Sequence, residues 1–309
     1  MLFALDVLRQ FGKILCIIFR NSLNMESYFI RHAGKEKLNV VDEAIDYLWE
    51  HNKIAIHYPG KGEEDKESIN PHDYEDKVAK RAMRVFNELN NNGGYIWAEY
   101  RNRREVKVGK IVPHSFTIYK TRWASKERVA KLKTLQIDKK SVKIIPPHQA
   151  ISLRAVRPRG GTLSRWPSAK NRLKCLVEGL SPEEHWDSLF PSEQETVCSE
   201  YLREPDVTGC PILERLLLPV GRTLQDVDIY GYATDKKRIF AQVTYLKKEE
   251  AKTKIQKLKD HDGSNSHLIF FCNCKKVHFD NGILFIPLKR VENWLKNNKT
   301  YLRKLLEYG

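Results

Sequence analysis

The chain has 309 residues, enough for two ordinary domains, and 41% of them are apolar, which excludes a wholly disordered protein. Lys and Arg outnumber Asp and Glu by 54 to 39, for a net charge of +15. That balance argues against a basic partner and for a polyanionic one.

Residues 2–19 are strongly apolar but interrupted by Asp6, Arg9 and Lys13, with no small-residue cleavage site. This pattern predicts neither a membrane span nor a secretory leader. Two readings stay open for residues 1–24. They form an amphipathic helix docked on the body or on a membrane surface, or an extension upstream of a natural start at Met25. Six scattered cysteines show no disulfide framework, so a reducing, cytoplasmic setting is expected.

Further along, 27–32 reads as a strand, 41–50 as a helix with Ala44, Ile45, Leu48 and Trp49 on one face, and 53–57 as a second strand. Residues 60–71 read as an exposed loop and 74–89 as a helix ended by the break at 90–94. Short strands are then predicted at 95–100, 106–112, 115–119, 142–145 and 150–156, the spacing of a small barrel or strongly bent sheet. Residues 157–166 read as a basic, glycine-containing loop.

Charge concentrates here. Between Arg101 and Lys174 there are 21 Lys/Arg and three acids, a net of +18, so the remainder sums to −3. A surface that is merely soluble interleaves both signs. A folded basic block faces phosphates, whose neutralisation releases counterions. Arg101, Arg103, Arg104, Arg157, Arg159, Arg165 and Trp166 are the candidate nucleic-acid contacts, with double-stranded DNA the expected partner. Trp97, Tyr100 and Trp123 are further stacking candidates, although mid-strand Trp97 also suits a core. His57, His114 and His148 pair with no nucleophile at an informative spacing.

The last third predicts a linker near 180–191 and a helix at 192–203. A short helical segment at 211–217 and a turn at 219–223 follow. Strands at 227–232 and 238–245, a helix at 248–259, strands at 267–272 and 283–287 and a closing helix at 291–306 complete the chain. Cys272, Cys274 and His278 have the wrong spacing for a usual zinc site, and Cys272 is expected to end a buried strand.

The stretch from Asp226 to Thr244, DVDIYGYATDKKRIFAQVT, carries the sharpest chemistry. A hairpin there brings Asp228 to Gln242, fourteen residues later, along one edge. A carboxylate beside an amide oxygen suits Mg²⁺ or Mn²⁺, a hard ion that keeps waters and takes phosphate oxygens.

The motif resembles the PD-(D/E)XK nuclease superfamily, and within it the Mrr-like restriction endonucleases, some of which carry Gln as the second ligand. The resemblance implies a core ordered helix, three-stranded hairpin sheet, helix, strand. It implies metal binding by Asp228 and Gln242, and a helical Glu upstream, with Glu200 and Glu214 as candidates and Asp226 as a second-choice acid. The family lysine two residues after Gln242 is Thr244 here. Lys247, Lys248 and Lys252 are the candidate substitutes, Lys247 first.

The segment beginning Tyr28-Phe-Ile-Arg-His-Ala-Gly34, with Ile54-Ala-Ile-His57 and 106–112, resembles PUA/EVE-like modules, which implies a barrel that reads a flipped base. The expected architecture is α/β (α+β): a basic PUA/EVE-like β-barrel domain at 25–177 and a restriction-endonuclease-like α/β domain with a mixed sheet at 178–309. The expected function is a metal-dependent DNA endonuclease, modification-dependent and acting against foreign DNA, with homodimerisation as a route to double-strand cutting. Two alternatives are a DNA-binding protein with a degenerate nuclease fold and an RNA-binding PUA-like protein.

Overall fold

A computed structural model describes residues 25–32, 40–58, 66–124, 128–218 and 226–306. The expectations for residues 1–24 and for the turn at 219–223 lie outside them. The chain divides into two compact units, one up to Pro182 and one from Glu183. Each is mixed α/β.

In the N-terminal unit, β1 (Ser27–His32) pairs in parallel with β3 (Gly94–Tyr100). A parallel pair needs a long crossover. It is supplied by α1 (Asp42–Glu50), β2 (Lys53–Ile56) and α2 (Lys77–Asn92). Asp76 caps α2 by accepting the Ala79 N–H at 3.0 Å. The helix runs on through Asn90 and ends at Gly93, whose φ of +68° suits a residue without a Cβ.

With β4 (Val106–Ile111), β7 (Lys143–Ile145) and β8 (Leu163–Arg165), these strands make a five-stranded sheet ordered β7-β4-β3-β1-β8. A second sheet is ordered β2-β6-β5, where β5 is Thr117–Arg122 and β6 is Val129–Gln136. One core holds both, with Ile30, Ile54, Ile96, Phe86 and Leu135 all fully buried. A bridge between Ile111 and Ile137 joins the sheets at one seam. Among the described residues no sheet closes into a barrel, so the expected barrel is not formed.

Three local expectations change. Residues 150–156 hold a helix, α3 (Ile151–Val156), not a strand. Its i, i+3 pair Leu153 and Val156 is buried while Ile151 is 66% exposed, a helical face that short alternation mimicked. Strand β6 was unforeseen because Lys131 and Lys133 interrupt its apolar pattern. Lys133 is nonetheless buried, with its ammonium 5.6 Å from the Tyr74 ring centroid. The basic loop also contains β8, and α4 (Lys170–Glu178) follows it.

The C-terminal unit is a six-stranded sheet ordered β13-β14-β12-β11-β10-β9. Strands β9 (Leu213–Leu218), β10 (Ile229–Ala233) and β11 (Arg238–Val243) form an antiparallel meander. Strands β12 (Ser266–Cys272) and β14 (Ile283–Pro287) continue parallel to β11. The short β13 (His278–Asp280) edges the sheet.

Alternation along β12 explains the layers. Leu268, Phe270 and Cys272 enter a core with Leu258 of α6 (Lys252–Lys259). Ile269 and Phe271 enter another with α5 (Pro191–Tyr201), α7 (Leu288–Asn297) and α8 (Lys299–Leu306). Phe270 and Phe271 are both fully buried, each worth about 1.5–3 kcal/mol. The expected helical segment at 211–217 is strand β9. Its leucines favour a helix in isolation, but pairing with β10 decides the outcome. At Gly231 a Cβ would lie 2.4 Å from the Arg215 carbonyl oxygen, so close approach explains that glycine.

His32 closes β1 and sets a test. Its Nε2 accepts the Ala55 N–H at 2.9 Å, so Nδ1 carries the proton and donates to the Glu99 carbonyl at 3.1 Å. Burial lowers its pKa from 6.5 to about 4. The neutral ring's stabilisation is therefore whole above pH 6.5 and lost as pH falls through 4, up to about 3 kcal/mol. Thermal melting between pH 7 and 4 should show that loss in wild type and lack it in His32→Gln. Identical pH profiles would remove His32 as the buried titrating group.

Candidate functional site

Asp228 stands one residue before β10. Its N–H donates to the Ala241 carbonyl at 2.9 Å, which closes the hairpin and sets its side chain beside β11. Gln242 Nε2 donates to Asp228 Oδ2 at 3.2 Å, and the Val243 N–H donates to the same oxygen at 2.7 Å. The structure thus brings together the two expected ligand residues.

Two oxygens of this pair remain unspent. Asp228 Oδ1 accepts no hydrogen bond among the described residues. Gln242 Oε1 is buried without a partner on a residue only 2% exposed. An orphaned buried acceptor costs about 1–3 kcal/mol, so the position is built at a cost to the fold. Burial raises the Asp228 pKa above its ordinary 3.8, opposed by the Val243 N–H, the charge of Lys254 and the Gln242 amide.

Lys254 lies on α6 and was not foreseen. It precedes buried Leu258 by four residues, the spacing that puts both on the face toward the sheet. Glu195 on α5 was also missed. Burial raises the thiol pKa of Cys198, and the charges of Asp228 and Glu195 both add to the effect. Glu195 precedes Cys198 by three residues and shares its helix face. It is the α5 carboxylate that acts on the same thiol as Asp228.

The remaining acids and lysines lie elsewhere. Glu200 pairs with Arg203 at 3.1 Å. Glu214 pairs with Lys236 at 2.7 Å beside the Tyr232 end of the ladder, about 13 Å along the strand from Asp228 at ~3.3 Å per residue. Asp226 pairs with Lys257 at 3.0 Å. Lys248 pairs with Asp280 at 2.6 Å. Lys247 and Lys252 are exposed, and the lysine charge that acts on Asp228 is that of Lys254. Thr244 is buried, its hydroxyl accepting the Leu246 N–H at 3.4 Å.

Among the described residues no three His, Cys, Asp or Glu gather to hold a metal, Cys272, Cys274 and His278 included. The Asp228–Gln242 pair still fits a hard divalent ion by its donor set, a carboxylate oxygen and an amide oxygen that accept no hydrogen bond. Cys272 ends β12, fully buried.

The basic block is less free than its composition suggests. Arg101 pairs with Asp42 and Arg103 with Asp46, both at 2.7 Å. Arg157 grips both oxygens of Glu99, at 2.6 and 2.8 Å. Arg165 pairs with Glu88. Arg104 and Arg159 are exposed. Trp166, expected as an exposed stacking residue, is 3% exposed and packs edge-on against Phe29 and Trp97. Trp97, Tyr100 and Trp123 are buried too. All four are core residues because each lies in or beside a sheet strand facing the interior. His57 packs against Trp123, and His114 and His148 lie at the surface.

A half-buried carboxylate held for chemistry should weaken the fold. Asp228→Asn keeps an acceptor for the Val243 N–H and removes the charge. It should raise unfolding stability at pH 7 by about 0.5–1 kcal/mol. The gap should close on acidification, because protonation achieves the same neutralisation. A destabilised variant at neutral pH would assign Asp228 a structural role.

No protein-family model, no curated protein and no solved structure matches this chain.

Proposed function

We propose that the chain is a metal-dependent endonuclease acting on DNA, with a nuclease unit of PD-(D/E)XK type at the C-terminus and a basic nucleic-acid-reading unit before it. The carrying observation is the Asp228–Gln242 contact, which leaves one carboxylate and one amide oxygen free at the end of a hairpin. The order α5, antiparallel β9-β10-β11, α6, parallel β12 supports the reading, because it is the order the resemblance implies.

Each residue has a role. Asp228 and Gln242 would hold Mg²⁺ or Mn²⁺. When bound, the ion polarises a phosphate and lowers the pKa of water. Gln242 also fixes the carboxylate by donating to Oδ2, so Oδ1 keeps one orientation. Lys254 brings from α6 the positive charge that the motif otherwise draws from the position of Thr244, and stabilises charge developing on the phosphate. Glu195 is the upstream helical acid in this scheme, in place of Glu200 or Glu214. Defence against foreign DNA is the setting the Mrr-like resemblance suggests.

A second reading rests on Thr244. With a buried hydroxyl where the motif has a lysine, the protein binds DNA without cutting it.

Purified full-length protein with supercoiled plasmid and Mg²⁺ or Mn²⁺ separates the two. Nicking should appear and stop with chelator. Asp228→Asn should lower it at least about 10³-fold and Lys254→Gln about 10²–10³-fold, the range for losing one stabilising group. Lys247→Gln should stay near wild type. Undiminished cleavage by Asp228→Asn sinks the nuclease assignment to this site. Salt-sensitive binding with no cleavage under any metal establishes the second reading.

A further inference from the structure

Glu99, the last residue but one of β3, lies next to Arg31 of β1, its register partner. Its side chain is 10% exposed. Trp97 Nε1 donates to Oε1 at 3.3 Å, and Arg157 takes both oxygens. Two more guanidinium groups approach the same carboxylate: Arg154 Nε at 3.5 Å from Oε1 and Arg31 Nε at 3.9 Å from Oε2. Neither makes a hydrogen bond to it.

The count of charge decides what the cluster is for. Arg101 with Asp42 is a one-to-one ion pair. Here, among the described residues, three cations surround one anion. Arg157 holds Glu99 through one nitrogen, Nη1, which donates to both carboxylate oxygens, and its single charge balances that of the carboxylate. The charge of two guanidinium groups is left over.

Their donors are left over as well. Arg154 donates through Nη2 to the Arg104 carbonyl at 2.6 Å, while its Nε is buried without a partner. Arg31 makes no side-chain hydrogen bond among the described residues, and its side chain is 53% exposed. Arg154 and Arg157 are 28% and 30% exposed. The surplus charge stands on a partly desolvated base, where a charge-assisted bond is stronger than in open water.

We propose that Arg31, Arg154 and Arg157, gathered on Glu99, form a phosphate-binding subsite of the N-terminal unit. Arg31 is the contact with exposed spare donors, and Arg154, 28% exposed, adds its unbalanced charge beside it. Arg157 is bound to Glu99 and adds charge, and Glu99 is a positioning residue that spaces the guanidinium groups. The ligand chemistry is a phosphate oxygen, from a nucleic-acid backbone or from a free phosphate. The backbone source rests on the nucleic-acid reading above; the subsite itself does not depend on cleavage.

The full-length chain provides the test. A labelled 20-base-pair duplex is titrated by fluorescence anisotropy across a salt series, without divalent metal. Inorganic phosphate is titrated separately at constant ionic strength by thermal shift. Arg31→Gln and Arg154→Gln are compared with Lys139→Gln, a charge removal at an exposed turn elsewhere in the unit. Each arginine variant should weaken duplex binding about tenfold and lower the salt slope by about 0.9, while Lys139→Gln changes affinity less than about twofold. If no duplex binds but phosphate protects wild type and not Arg31→Gln, the subsite stands and the nucleic-acid reading fails. Duplex binding that the arginine variants leave intact, or no protection by either ligand, overturns the subsite.

Discussion

One backbone hydrogen bond organises the candidate site: the Asp228 N–H to the Ala241 carbonyl. It fixes the hairpin one residue beyond the formal start of β10. From there the register puts Gln242 within reach of the carboxylate and presents the Val243 N–H to it. Slip the register by one residue and every side chain on β11 changes face. Gln242 would then leave Asp228, and Phe240 would leave the apolar layer it shares with Leu258 and Phe270. The apolar alternation that stabilises the sheet therefore also aligns the polar pair. Stability and chemistry share one constraint.

The two units handle ionised groups differently. In the C-terminal unit a lone carboxylate is drawn partly out of water and left with one oxygen unspent. In the N-terminal unit a carboxylate is over-supplied with cations. The first leaves acceptor oxygens unspent and the second gathers more positive charge than its carboxylate balances. Both depart from one-to-one pairs such as Lys248–Asp280 and Arg290–Asp206. Such departures cost stability unless a ligand compensates.

Much of the C-terminal unit was legible in the sequence because strongly apolar strands alternate with turn residues and a polar helix. The Asp228–Gln242 pairing was legible for the same reason. Lys254 and Glu195 were not, because their relevance depends on which helix face meets the sheet. Their spacing to Leu258 and Cys198 holds that information, but only once the buried side is known. Strand β9 was misread because leucine-rich segments take their conformation from their neighbours. In the N-terminal unit, composition located the positive charge but not its engagement. Arg101, Arg103, Arg157 and Arg165 each have an acid nearby that is distant in the chain. Trp166 looked exposed because its flanking residues are polar, yet it packs against Phe29, a residue more than a hundred positions earlier.

That last contact has a kinetic side. The Ser27 hydroxyl bonds the Trp166 carbonyl across 139 residues, and β1 pairs with both β3 and β8. The first strand of the sheet must wait for partners made much later, and pairings of such long separation favour slower folding than local ones. During synthesis Tyr28, Phe29 and Ile30 emerge long before anything can cover them. The meander of β9 to β11, by contrast, closes over short spans and can form soon after it is made. A chaperone that shields nascent apolar strands would therefore matter more to the first half of this protein than to the second.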